Sequence, residues 1–169
     1  ALIFTPRWLH SARRSELQVE VTLVSHSPSV SVIVPTWNEA RSLPGLLDSI
    51  GRQTVRDFEI IVADSGSTDR TAEIASAFGA RCIAGRRHGP AEGRSRGARQ
   101  ASGNTLVFVD ADCVLPPDLF ERILTTLDDS SVIGGATFFR PLDGTKTERL
   151  LFFLANAYQK AMTTCGFPH

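Results

Sequence analysis

The chain has 169 residues, 42% of them apolar, which is enough for one core of ordinary size and too little for two comfortable domains. Eighteen Lys plus Arg balance eighteen Asp plus Glu, so the whole-chain charge provides no footprint for nucleic acid, and any charge-based function has to be local. Three distant cysteines, Cys82, Cys113 and Cys165, have no zinc spacing and read as reduced thiols of a cytoplasmic protein.

Residues 1–27 begin with an apolar Ala1–Phe4 that Pro6 and Arg7 interrupt, so they make a poor secretory apolar core and are read as a leader of uncertain order. A single domain is expected over 28–169. Its first element is a β-branched strand, Val30–Val34, closed by Pro35, followed by a helix marked by Leu43, Leu46, Leu47 and Ile50. Phe58–Ala63 is a second strand, and Ile74, Ala75 and Phe78 mark a helix that Gly79 ends. Ala80–Ala84 is a third, leading through an Arg- and Gly-rich loop to a helix ending near Gly103. Thr105–Val109 is the fourth strand, and Leu119, Phe120, Ile123, Leu124 and Leu127 give the clearest amphipathic helix, entered through Pro116–Pro117. A further strand over Val132–Phe139 and a last helix carrying Leu150, Leu151, Leu154, Tyr158 and Met162 complete the pattern. No apolar run reaches the roughly 20 residues that span a bilayer. Strands alternating with helices imply an α/β domain of three layers around a mainly parallel sheet.

Ligands of such sheets gather outside the carboxyl ends of the strands, where three polar segments fall: Pro35-Thr36-Trp37-Asn38-Glu39, Asp64-Ser65-Gly66-Ser67-Thr68-Asp69 and Asp110-Ala111-Asp112. Asp110 and Asp112 follow the apolar run Leu106–Val109, and the period of two of an extended segment points both carboxylates the same way, a platform for Mg²⁺ or Mn²⁺ with substrate phosphates as further ligands. The same two residues also suit a solvated turn at a strand end. Asp64 could accept from a base imide or ribose hydroxyl, whereas Ser67, Thr68 or Asp69 would cap the following helix. Six arginines between Arg81 and Arg99 suit phosphate, although any one of them alone is more often a solvated surface cation. Gly93 and Gly97 do not form a dinucleotide fingerprint, there is no P-loop or nucleophile elbow, and the four histidines have no metal spacing.

In order, Ser31-Val32-Ile33-Val34-Pro35-Thr36-Trp37-Asn38-Glu39, Val62-Ala63-Asp64-Ser65-Gly66-Ser67-Thr68-Asp69-Arg70-Thr71 and Val107-Phe108-Val109-Asp110-Ala111-Asp112 resemble the family 2 glycosyltransferases, which have the GT-A fold. The resemblance runs over roughly Val30–Phe139 and includes Gly134-Gly135. It implies transfer of a sugar, with inversion, from a nucleoside-diphosphate donor to an acceptor hydroxyl. Pro35, Thr36, Asn38, Glu39, Asp64, Ser67, Asp69, Arg94, Asp110 and Ala111 would bind the donor, and Asp110 with Asp112, the DXD motif, would hold Mn²⁺ or Mg²⁺. Arg94 stands where the family commonly has an Arg-Asn pair, but Ser95 follows it here. The family's acceptor half, with its carboxylate base, has no counterpart before His169. The expectation is therefore a chain incomplete at its C-terminus, with no catalytic residue named and the base beyond His169.

A non-catalytic nucleotide-binding module is the alternative, and a sugar-nucleotide pyrophosphorylase would need a Gly-rich loop that Pro35-Thr36-Trp37-Asn38 does not provide. The acceptor is left open as a glycan, a lipid phosphate or a small molecule. The Arg-rich loop and the apolar last helix suggest peripheral membrane contact.

Overall fold

The computed structural model of the chain describes residues 27–137 and, in a separate helical stretch, residues 149–151, 153–154 and 156–157. Residues 1–26 of the leader, Tyr158 and Met162 lie outside them, as does Cys165. Eight elements alternate: β1 Val30–Thr36, α1 Leu43–Gly51, β2 Phe58–Asp64, α2 Thr71–Ala77, β3 Arg81–Ala84, α3 Pro90–Ala98, β4 Thr105–Phe108 and α4 Leu119–Leu127. The four strands form one parallel sheet in the order β3-β2-β1-β4. This is the expected α/β class, with helices on both faces.

β1 is buried throughout and sits between β2 and β4, which explains its almost unbroken β-branched run. Its alternate side chains build the two faces. Val30, Val32 and Val34 join Leu43, Leu46, Leu47 and Ile50 of α1, Ala75 of α2 and Phe120 of α4 in the main core. Phe120 meets Phe58 edge to face, with ring centroids 5.6 Å apart. On the opposite face Ile33 and Pro35 meet α3 through its glycines. A Cβ on Gly97 would lie 2.3 Å from Ile33 Cγ2, and one on Gly93 would lie 3.1 Å from Pro35 Cβ. The four-residue spacing of these glycines is thus a packing seam that brings a helix close to the sheet.

Several boundaries differ from the sequence expectation. β1 continues through Pro35 to Thr36, in register with Ala63 and Asp64. Ser29 and Ile33 carbonyls accept from Thr105 and Val109 on the β4 side, and the Thr36 carbonyl accepts from Ser65 on the β2 side. By alternation Pro35 faces the β4 side, where strand pairing ends at Ile33, so its missing N–H breaks no ladder bond. α3 ends at Ala98, well before Gly103, and Phe78, expected on the packed face of α2, is half exposed just beyond it.

Residues 132–137 contain no strand, and Ile133 is fully exposed, so the expected strand Val132–Phe139 is not formed over its described part. Strand geometry needs a neighbour to take its hydrogen bonds, and no described element pairs with this segment. Leu150, Leu151 and Leu154 are helical but exposed, rather than packed as core.

Candidate functional site

Strand order places the site. The chain proceeds outward from β1 to β2 and β3, then returns to add β4 on the other side, so the switch in winding direction lies between β1 and β4. Loops leaving the carboxyl ends of these two strands run to opposite faces and leave a crevice. A cleft of about 410 Å³ opens there, lined by Pro35, Thr36, Trp37 and Glu39 after β1, Ser65 after β2, Arg87, Gly89, Pro90 and Arg94 around the start of α3, and Asp110, Ala111 and Asp112 after β4.

The three sequence segments play unequal parts in it. The first and third line the cleft directly. Asn38, Asp64, Ser67 and Asp69 instead brace the first two loops against each other. Asp64 is buried, and its carboxylate accepts from Thr36 Oγ1 at 3.1 Å, Ser67 N at 3.0 Å and Ser67 Oγ. Asn38 has a left-handed backbone, φ 56°, which asparagine tolerates. Its N–H donates to Ser67 Oγ at 2.8 Å, and its side-chain oxygen accepts from Thr68 N at 2.8 Å.

Asp69 takes the Thr71 amide at 3.0 Å and the Ala40 amide at 3.0 Å, and Thr71 N–H and O–H partners hold its carboxyl below the usual carboxylate range. Its hydrogen bond from the Thr71 hydroxyl is the leading cause of that depression. The N-cap position of α2 is Arg70, which makes no side-chain cap, and it is the Asp69 carboxylate, one residue earlier, that takes the first amide of the helix. Glu39 N donates to Thr71 Oγ1 at 2.8 Å, while its carboxylate accepts from Ser42 Oγ at 2.7 Å.

Asp110-Ala111-Asp112 is a turn, not an extended strand end: β4 stops at Phe108 and Cys113 N donates to Asp110 O at 3.1 Å. The period-two argument for two parallel carboxylates therefore does not apply. What brings them together is the cleft, which both line, with the small Ala111 buried between them. Asp110 forms an ion pair with Arg94, which α3 presents immediately after Gly93 at the packing seam. Among the described residues no three His, Cys, Asp or Glu side chains are arranged around a common ion position. Two exposed carboxylates on a cleft fit a hard divalent ion that completes its shell with water and phosphate oxygens, rather than one held in an all-protein cage.

Four lining residues were not singled out from the sequence: Ser65 was hidden within a turn, Arg87 was one of six similar arginines, and Gly89 and Pro90 stand at the entrance of α3. Arg87 stacks its guanidinium over the Trp37 ring, 3.4 Å from the centroid, a contact between residues fifty positions apart that no local pattern reveals. The thiols of Cys82 and Cys113 are free and half-buried, and burial pushes both upward. No helix among the described residues is long and apolar enough to cross a membrane.

Known proteins are similar to this chain in sequence and in fold. The chain is 38% identical over 141 residues to a PGL/p-HBAD biosynthesis glycosyltransferase of Mycobacterium bovis, covering 75% of this chain and 55% of that one. Among solved structures, the mannosyltransferase PcManGT of Pyrobaculum calidifontis, in complex with GDP-Man and Mn²⁺, superimposes with a TM-score of 0.59 at 33% identity, covering 64% of this chain and 34% of that one. S. aureus TarS in complex with UDP-GlcNAc gives a TM-score of 0.55 at 26% identity, with 64% and 36% covered. The chain spans about half the length of the curated relatives it matches. A family model described as glycosyl transferase family 2 matches residues 31–168, and with its strand-end segments gathered at one cleft of a GT-A type sheet, the chain belongs to that family.

Proposed function

We propose that the protein transfers a sugar from a nucleoside-diphosphate donor to an acceptor hydroxyl, with inversion and with a divalent metal, and that the described cleft is where the donor binds. The observation that carries this reading is the meeting of the Pro35–Glu39 and Asp110–Asp112 segments, with Arg94, at the switch point of the sheet. The complexes of PcManGT with GDP-Man and Mn²⁺ and of TarS with UDP-GlcNAc support the same class of donor.

In this reading Pro35, Thr36, Asn38, Glu39, Asp64, Ser67 and Asp69 form the nucleoside side of the site, in two ways. Thr36 and Glu39 border the cleft, while Asp64, Ser67, Asp69 and Asn38 fix the loops that shape it. Asp64 retains acceptor capacity beyond its three internal partners, since a carboxylate offers about four lone-pair sites. Arg94 and the backbone around Ala111 face the diphosphate.

Asp110 and Asp112 would hold Mn²⁺ or Mg²⁺, which when bound neutralises the charge that develops on the leaving diphosphate. The acceptor oxygen forms its new bond to the anomeric carbon on the face opposite the leaving group, its hydroxyl proton passes to a carboxylate base of the acceptor half, the bond from that carbon to the diphosphate breaks, and the nucleoside diphosphate departs with the bonding pair. The acceptor is a glycan, a lipid phosphate or a small molecule.

Calorimetric titration of the 169-residue chain with uridine, guanosine and thymidine diphosphates, with and without Mn²⁺, tests the assignment. One of the three should bind in a Mn²⁺-dependent way, and Asp112→Ala should lose that dependence. Absence of binding by the wild-type chain to all three would refute it.

A further inference from the structure

We propose that Arg87, held flat on Trp37, is a binding residue for the diphosphate of the donor. This rests on the functional reading above and extends it to a residue outside the three strand-end segments. Three observations converge. Arg87 and Trp37 both line the cleft, together with the Asp110–Asp112 turn. The Arg87 guanidinium carbon lies 3.4 Å from the centroid of the Trp37 ring, a face-on stacking distance. The other lining cation, Arg94, is already engaged by Asp110, whereas Arg87 makes no ion pair among the described residues.

The geometry of a guanidinium gives this stack its meaning. All five N–H donors lie in the guanidinium plane, so stacking occupies the faces and leaves the edge free to meet two phosphate oxygens together. Trp37, 42% exposed, thereby acts as a platform that restricts a long side chain before any ligand arrives. Less rotamer freedom is then lost when the anion binds. The position also suits the local field: Gly89 and Pro90, at the amino end of the nine-residue helix α3, line the same cleft and add their backbone dipole to the cation. Near Asp110 and Asp112, two carboxylates that need a cation between them and a diphosphate, a free arginine edge supplies the further positive charge that a doubly ionised ligand requires.

Titration of the full 169-residue chain in Mn²⁺ with the nucleoside diphosphate that binds best, and with the matching uncharged nucleoside, tests the proposal on wild type, Arg87→Ala, Arg87→Lys, Trp37→Leu, the Arg87→Ala/Trp37→Leu pair and Arg86→Ala. Arg87→Ala should weaken the diphosphate by about tenfold or more, the loss expected for a charge-assisted hydrogen bond, while leaving the nucleoside within twofold. Arg87→Lys, which keeps the charge without the planar fork, should fall between the two. Trp37→Leu should weaken the diphosphate less once Arg87 is already alanine than it does alone, because the platform then has nothing to hold. Arg86→Ala, on the same loop and outside the cleft lining, controls for general basicity and should bind like wild type.

Diphosphate binding by Arg87→Ala within twofold of wild type overturns the proposal, as does an equal loss for nucleoside and diphosphate, or additive losses in the pair. A wild-type chain that binds no nucleoside diphosphate fails earlier, and that result overturns the functional reading together with this one. Failure confined to the Arg87 variants leaves the functional reading standing.

Discussion

Gly97→Ala should destabilise the protein although it places a better helix former in the last turn of helix α3. In an open helix position alanine is favoured over glycine by about 1 kcal/mol. At Gly97 the added Cβ would sit 2.3 Å from Ile33 Cγ2, far inside the contact distance of about 3.5–4.0 Å between carbons. Ile33 cannot yield by a simple rotation: it is completely buried, branched at Cβ and placed on the central strand. The cheaper response is for α3 to move off the sheet, which is overpacking with a cost of about 1–3 kcal/mol.

Subtracting the propensity gain leaves a net loss of up to about 2 kcal/mol. Gly45→Ala supplies the reference, since Gly45 lies in α1, is exposed and has nothing within 4 Å of an added Cβ. It should gain about 0.5–1 kcal/mol. Urea unfolding followed by circular dichroism should move the two midpoints in opposite directions, and at about 2–4 °C per kcal/mol the melting temperatures should separate clearly. Because Arg94 rides on α3 beside Gly93, Gly97→Ala should also weaken nucleoside-diphosphate binding, which Gly45→Ala should not. A Gly97→Ala protein that gains stability as Gly45→Ala does would refute the seam between α3 and β1.

Gln53 is fully buried with its amide satisfied on both sides: Nε2 donates to Pro116 O at 2.7 Å, and Oε1 accepts from Phe120 N at 3.1 Å. Gln53→Leu should cost about 1–3 kcal/mol by leaving the Phe120 amide without its partner, measured as a shift in the urea midpoint, and an unchanged midpoint would contradict this clamp. Burial raises the Glu59 carboxyl, but hydrogen bonds from Ser31 and Ser102 and the Arg81 cation outweigh it and hold the group below its usual value of 4.5. A folded value lowered in this way contributes stability that is present above the unfolded value and lost as pH falls through the folded one. Glu59→Gln should therefore flatten the loss of stability below about pH 4.5, seen as urea midpoints collected from neutral to acid conditions, and an unaltered acid limb would show that Glu59 does not contribute.

What could be read from the sequence was local and periodic. The β-branched run at Val30, the apolar spacing of Leu43 to Ile50 and the stripe from Leu119 to Leu127 each carry their own signal, and the structure has an element at each. The misreadings share a different cause. Pro35 closes a strand only if its absent N–H faces a neighbour, which depends on where β4 ends. Val132–Ala136 has strand-like composition but no described partner, and Gln53 acquires its role from groups 63 and 67 residues away. None of these can be decided within a window of neighbours.

The same distinction divides the site. Polar residues following a strand are equally suited to holding a ligand and to holding a loop, because both tasks ask for short side chains that accept from N–H and O–H groups. Asp64, Ser67, Asp69 and Asn38 are spent largely on the loops: their hydrogen bonds tie the end of β1 to the end of β2, about thirty residues on in the chain. Thr36 and Glu39 are left facing the cleft by that bracing, and Asp110 and Asp112 line it from the β4 side. Substituting a bracing residue should therefore lower stability and donor affinity together, whereas Asp112 and Arg87, which line the cleft, should separate the two. That contrast, rather than the motifs themselves, distinguishes scaffold from ligand contacts in this site.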